Sequence, residues 1–336
     1  MTHEIKQLVV QAWAWQKDNR KVVLATVVEM EGSSYRRPGV RMILNDLGAS
    51  FGAVSGGCVE KEVQIQAQSV FENGIPKMMT YDGRLRLGCE GVIYVLLEPL
   101  ELSAVLSQSL TSALEQRSTF CSISYFDLEV GSDSGYGTQF IFQDQVFSLR
   151  KYFSKGEGLR IFEQEFPPLF QCCIFGAEHD AVILTKAASA LGWEVTIIAS
   201  PDEQKTLAFF PGAKRLLNPT IDQFDTSIID DQTAIVLMTH SLSKDVQYLL
   251  ALSDTSPCYL GLLGPAKRRE QLIGHLLEHK PEVDLRFIEL LRGPSGINIG
   301  AENAEEIAVS ILAEILSVVR NQEPIPLSQK KGQIHE

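Results

Sequence analysis

Gly176-Ala177-Glu178-His179-Asp180-Ala181 is the stretch on which the fold turns. It follows an apolar run at 169–175 that reads as a buried strand, and it opens a helical pattern at 179–191. Outward from it, strands at 194–199, 214–217, 233–239 and 258–263 alternate with helices at 243–253 and 265–279. Such alternation predicts a parallel sheet covered on both faces. A last helix, 304–320, begins at Asn303-Ala304-Glu305-Glu306, a capping-box-like start, and buries a stripe of Ile307, Ile311, Ile315 and Val318. Beyond Asn321 come Pro324, Pro326 and a polar, Lys-containing tail (321–336), read as disordered.

A glycine loop between strand and helix is the place of a dinucleotide fingerprint, but two parts depart from it. Glu178 stands where a second glycine lets the backbone approach a pyrophosphate, and its carboxylate repels phosphate. Ile198-Ala199-Ser200 stands where an acidic residue holds a ribose, and Asp202 lies beyond Pro201. Ordinary NAD(P) binding is therefore disfavoured. His179 and His240 are expected at the ends of the first and fourth strands, which flank the point where strand order reverses and ligands bind. With Gly176 they form a candidate site for a metal, a phosphate or a proton transfer. Each histidine alone is better read as a simple strand-end residue, and it is their pairing that favours a site. Loops at Gly264-Pro265 and Arg292-Gly293-Pro294-Ser295-Gly296 would complete the rim.

A chain of 336 residues with 45% hydrophobic and 21% charged residues has material for two cores. Its net charge of −12 and pI near 5.1 argue against a non-specific nucleic-acid binder and against attachment to an acidic membrane. No apolar stretch reaches the length of a membrane span. The six cysteines, Cys58, Cys89, Cys121, Cys172, Cys173 and Cys258, make no CxxC pair, which argues against a disulfide scaffold or a structural zinc site. The cytoplasm is the expected compartment.

The N-terminal part reads as a helix at 4–19, a strand at 22–28, a hairpin at 41–44 and 51–54, a helix at 59–71, and strands at 78–81 and 92–97. That closes a unit at about residue 100. Residues 101–167 read as its continuation, with a helix at 100–114, strands at 120–128 and 140–149, and a linker near 156–168. The expectation is an α/β protein: an N-terminal α/β domain at 1–167, then a Rossmann-type doubly wound parallel-sheet domain at 168–320.

Ser55-Gly56-Gly57-Cys58 lies between a strand and a helix. Glycines there let backbone N–H groups converge, and the helix N-terminus adds positive partial charge, so the loop is a candidate anion site. A cysteine at that position is a candidate thiolate, nucleophilic or able to bind a soft metal; a buried small residue at a tight turn fits equally. Leu87-Gly88-Cys89-Glu90-Gly91 repeats the glycine–cysteine pattern. Arg36, Arg37, Arg41, Arg84 and Arg86 lie in the same loops, and would form either a pocket for an anionic, sulfur- or metal-containing ligand or a solvated surface cluster.

Leu24 to Val28, Gly32 to Gly39 and Ser55-Gly56-Gly57-Cys58-Val59-Glu60 resemble the N-terminal signature of the xanthine dehydrogenase accessory factor (XdhC/CoxI) family. Gly176 to His179, Thr239-His240, Tyr259 to Gly264, and Ile297 to Ile315 resemble its Rossmann domain. The resemblance implies a chaperone without turnover that binds the molybdenum cofactor, assists its sulfuration and passes it to an apo-enzyme of the xanthine dehydrogenase type. It further implies a cysteine desulfurase as partner and a homodimer. Cys58 and Cys89 would then contact the molybdenum or its sulfur, and Gly56, Gly57 and nearby arginines the cofactor phosphate. The chain departs from the family pattern at Glu90, Glu178 and Ser241. An NAD(P)-dependent oxidoreductase is the competing reading. A third makes the C-terminal domain a dimerisation or docking unit.

Overall fold

The computed structural model describes residues 2–32, 37–85 and 91–330; Arg36 and Cys89 lie outside the described residues, as does the side chain of Cys58. The chain divides into two compact units, Met1–Pro168 and Leu169–Glu336.

The first unit runs α1 (Thr2–Lys17), β1 (Val22–Glu31), β2 (Arg41–Asn45), β3 (Ser50–Gly52), α2 (Cys58–Asn73), β4 (Lys77–Asp82), β5 (Val92–Pro99), α3 (Ala104–Glu115), β6 (Phe120–Phe126), β7 (Gly131–Ser132), β8 (Gly137–Phe142), β9 (Gln145–Ser148) and β10 (Arg160–Phe166). Among the described residues it carries a six-stranded sheet, β3-β2-β1-β5-β4-β7, and a four-stranded one, β10-β6-β8-β9. The strand pairs of both are antiparallel. Helix α2 lays Val59, Val63, Ala67 and Val70 against Val23, Ala25, Val95 and Leu97 of the larger sheet. It stops at Gly74, whose φ of 72° is left-handed and whose N–H reaches Val70 O at 2.9 Å, a glycine C-cap.

Two expectations need correction. The strand read at 140–149 is two strands, because the chain reverses at Gln143, which takes a φ of 52°. The linker read near 156–168 contains β10, which pairs with β6 from Arg160↔Phe126 to Phe166↔Phe120. Its inward Gln164 accepts from the buried Arg41 guanidinium, which also donates to Gly39 O and Ser122 Oγ, each at 3.0 Å. Arg41 is thus a group fixed between the sheets and not part of an open pocket. Burial lowers its pKa to about 10 against the opposing charge of Glu98.

The second unit runs β11 (Gln171–Phe175), α4 (His179–Ala190), β12 (Glu194–Ile198), β13 (Ala213–Leu217), β14 (Thr233–Leu237), α5 (Leu242–Leu252), β15 (Tyr259–Leu262), α6 (Ala266–His279), α7 (Leu285–Leu290), β16 (Leu291–Arg292) and α8 (Ala304–Val319). Its strands are parallel in the order β13-β12-β11-β14-β15-β16. That is the doubly wound order in which strand succession reverses between β11 and β14. One face of the sheet is covered by α4 and α8, the other by α5, α6 and α7. Asn303 caps α8, accepting from Glu306 N–H at 2.9 Å, as its spacing predicts. Residues 321–330 are exposed apart from Lys330 and include a short turn of 3-10 helix at Leu327–Gln329.

Candidate functional site

The register of the larger N-terminal sheet brings three loops to one end. Glu31, the last residue of β1, is opposite Val92, the first of β5, and Val92 is opposite Asp82, the last of β4. Arg41 opens β2, and Gly52 closes β3 beside Met42. The segments 32–40, 53–57 and 83–91 therefore leave the sheet at the same end. In sequence they carry Arg36 and Arg37, then Ser55, Gly56 and Gly57 with Cys58 directly after, then Cys89. The third loop is closed at its base by Gly83 N–H on Gly91 O at 2.9 Å.

The loop before α2 is organised by Glu60. One carboxylate oxygen accepts from the N–H groups of Val54 (3.1 Å) and Ser55 (2.6 Å), the other from the Ser55 hydroxyl (2.8 Å) and Gly57 N–H (2.7 Å). Burial alone would raise the pKa of Glu60, but these bonds from Ser55 and Gly57 hold it below its ordinary value. The expected anion site thus already holds an anion: the Gly57 amide is engaged by a side chain of the same helix. Gly57 takes a φ of 121°, and a Cβ on Gly56 or Gly57 would meet nothing within 4 Å, so the loop backbone faces open space. Cys58 is the first residue of α2. Sequence reasoning missed Glu60, although its place three residues after the N-cap Gly57 is capping-box spacing.

The arginines divide. Arg37 is exposed. The Arg84 guanidinium is taken by Asp82, with Nε and Nη2 at 2.9 and 2.8 Å from the two carboxylate oxygens. Arg84 is therefore not the unpaired cation that a shared pocket called for.

In the second unit, Gly176 has a φ of 134°, and a Cβ there would lie 2.4 Å from Met238 O, so the loop admits only glycine. Ala181 packs against the sheet at 1% exposure. The ends of β11 and β14 lie side by side, Phe175 opposite Leu237. Exposed His179 starts α4, whereas His240, with a φ of 55°, places Nε2 3.6 Å from Asp180 Oδ2. His240 thus faces Asp180, and among the described residues no group of three or more His, Cys, Asp or Glu could hold a metal ion. Behind this turn Asp245, fully buried, accepts from Arg268 Nε and Nη2 at 3.1 and 2.6 Å and lies 2.6 Å from the Thr239 hydroxyl. Of the expected rim, Gly296 N–H donates to Glu314 at 2.8 Å, which ties that loop to α8.

Two units, a glycine–cysteine loop opening a helix in the first and a doubly wound sheet in the second, define an α/β protein with a Rossmann-type C-terminal part. The XdhC Rossmann domain model matches residues 172–315, and that of the XdhC and CoxI family matches residues 15–82. The chain belongs to the XdhC/CoxI family. It is 28% identical to a probable xanthine dehydrogenase component from Bacillus subtilis, over 89% of this chain and 94% of that one. It is also 28% identical to the molybdenum cofactor insertion chaperone PaoD of Escherichia coli, over 90% of this chain and 84% of that one. A crystal structure from Bacillus halodurans, described as a xanthine dehydrogenase, superposes with a TM-score of 0.77 at 27% identity, covering 94% of this chain and 96% of that one. Among the described residues no helix is long and apolar enough to cross a membrane.

Proposed function

We propose that this chain is a cytoplasmic maturation factor that takes the molybdenum cofactor as cargo, assists its sulfuration and delivers it to apo-enzymes of the xanthine dehydrogenase type. The observation that carries the proposal is the register that brings the ends of β1, β3 and β4 to one end of a single sheet, the sequence placing Arg36, Arg37, Cys58 and Cys89 in or directly beside the segments that follow. The name of the Escherichia coli relative supports the same class of task. In this reading Cys58 and Cys89 supply soft sulfur ligands to the molybdenum or receive its sulfur. Because Glu60 occupies the Gly57 amide, the anionic end of the cargo draws on Arg36, Arg37 and the open face of Gly56. Gly176, His179 and His240, near the ends of β11 and β14 in the second unit, make up a second candidate binding site. The chain acts as a carrier, a homodimer in solution, with a cysteine desulfurase as sulfur donor.

The test is the pterin and molybdenum content of protein purified from a cofactor-producing host. Wild type is expected to carry both, and Cys58→Ala and the Cys58→Ala/Cys89→Ala double variant to carry much less. Equal content in all three overturns the cysteine assignment.

A further inference from the structure

The Rossmann crevice holds a feature that the cargo reading does not use. A cleft of about 260 Å3 opens at the C-terminal edge of the sheet, lined by Gly176, Glu178, Ser200, Glu203, Lys244 and Tyr248 among others. This is where open α/β sheets bind ligands. The ribose of a bound nucleotide would sit over the tip of the second strand, here β12, where a carboxylate is needed to hold a free 2′-hydroxyl. Ser200 stands at that tip, and Lys244, reaching across from the first turn of α5, donates to its hydroxyl. Ser200 is also held through its backbone, its carbonyl accepting from Asn218 Nδ2 at 2.9 Å and from Glu203 N–H at 3.0 Å. A hydroxyl and an ammonium fixed together suit a phosphate monoester, not a ribose diol.

The charges around this pair decide whether the ammonium is available. Glu178, Asp202 and Glu203 also line the cleft. Lys205 lies between two of them, 3.3 Å from Glu203 and 3.7 Å from Glu178. Among the described residues Lys244 has no carboxylate partner, so its charge is uncommitted. The Glu178 carboxylate is turned to Lys205, its side chain is 61% exposed, and it makes no capping bond to α4. The first amides of α4 are thus not capped by a side chain, and the repulsion that Glu178 would exert on a pyrophosphate is partly offset by Lys205.

We infer that this crevice binds an adenine nucleotide whose ribose carries a 2′-phosphate, through Ser200 and Lys244, and discriminates against the same nucleotide with a free 2′-hydroxyl. The inference concerns binding alone and does not rest on the cargo reading.

The test is calorimetric titration of the full chain with NADP+, NAD+, 2′,5′-ADP and inorganic phosphate. NADP+ and 2′,5′-ADP are expected to bind at least tenfold more tightly than NAD+. Lys244→Gln, an exposed position, should abolish that preference, and Ser200→Asp should reverse it, with circular dichroism confirming that both variants fold. Equal affinity for NADP+ and NAD+, no saturation below millimolar, binding of inorganic phosphate only, or an unchanged preference in Lys244→Gln would each overturn the inference. The pterin content of the same preparations reads the cargo proposal separately, so either can fail without the other.

Discussion

Glu60→Ala perturbs the cysteine loop at its organising group, and its cost follows from the bonds. The carboxylate accepts four hydrogen bonds at 2.6–3.1 Å. A bond to a charged group is worth about 1.5–3 kcal/mol where water is excluded. Gly57 is exposed and Ser55 only half-buried, so three of the four released donors regain water and only the buried Val54 amide does not, and the net loss per bond falls to ~0.5–1 kcal/mol. The expected destabilisation of the first unit is therefore about 2–4 kcal/mol, more than loss of an N-cap alone (~1 kcal/mol). Glu60→Gln should recover only part of it, because the amide NH2 would face N–H donors. The assay is urea unfolding by fluorescence in a Trp193→Phe background, so that Trp13 and Trp15 of α1 report alone. The pH dependence has a fixed sign. Glu60 is depressed in the folded state, so its contribution is complete above the ordinary value of 4.5 and is lost as pH falls through the lower folded value. A loss under ~0.5 kcal/mol, or Glu60→Gln as stable as wild type, would show that the carboxylate does not organise the loop.

Three further outcomes follow from single sites. Gly176→Ala forces a Cβ to 2.4 Å from Met238 O and should lower the stability of the second unit by at least ~2 kcal/mol, read as an earlier transition of Trp193 with that of α1 unmoved. Asp245→Ala leaves Arg268 without its buried partner and should cost about 3–5 kcal/mol, whereas a surface pair such as Lys214–Glu194 should cost under ~1 kcal/mol in the same assay. Burial pushes the thiols of Cys121 and Cys172 above the ordinary range and that of Cys258 to about 12, so peptide mapping after brief iodoacetamide treatment at pH 8 should show these three unmodified; rapid labelling of any of them would count against the burial argument.

What the sequence disclosed divides along the two units. In the second, buried parallel strands are near-continuous apolar runs separated by amphipathic helices, so both period and length identify each element. The position of Gly176 just past β11 followed from that alternation, whereas His179, read at a strand end, is the first residue of α4. In the first unit the signal is weaker because its inward positions include polar residues. Gln164 in β10 and Arg41 in β2 satisfy one another between the sheets, and a buried polar pair interrupts the alternation by which a strand is recognised. The turn at Gln143-Asp144 lacks the glycine that announces a tight reversal. The cysteine loop was legible as strand–loop–helix, but not its internal occupant. A glutamate three residues into a helix reads as an ordinary cap, and only the geometry shows that it takes three loop amides and the serine hydroxyl.

A carrier must give up its cargo, so the proposed role stands or falls on delivery of the cofactor to another protein. Cofactor-loaded protein is mixed with a purified apo-hydroxylase of the xanthine dehydrogenase type, the two are separated, and pterin is quantified on each together with hydroxylase activity. Pterin is expected to leave this chain and appear on the hydroxylase, with activity gained in proportion and at most one equivalent per carrier. Pterin that stays with this chain while the hydroxylase remains inactive would rule the carrier role out.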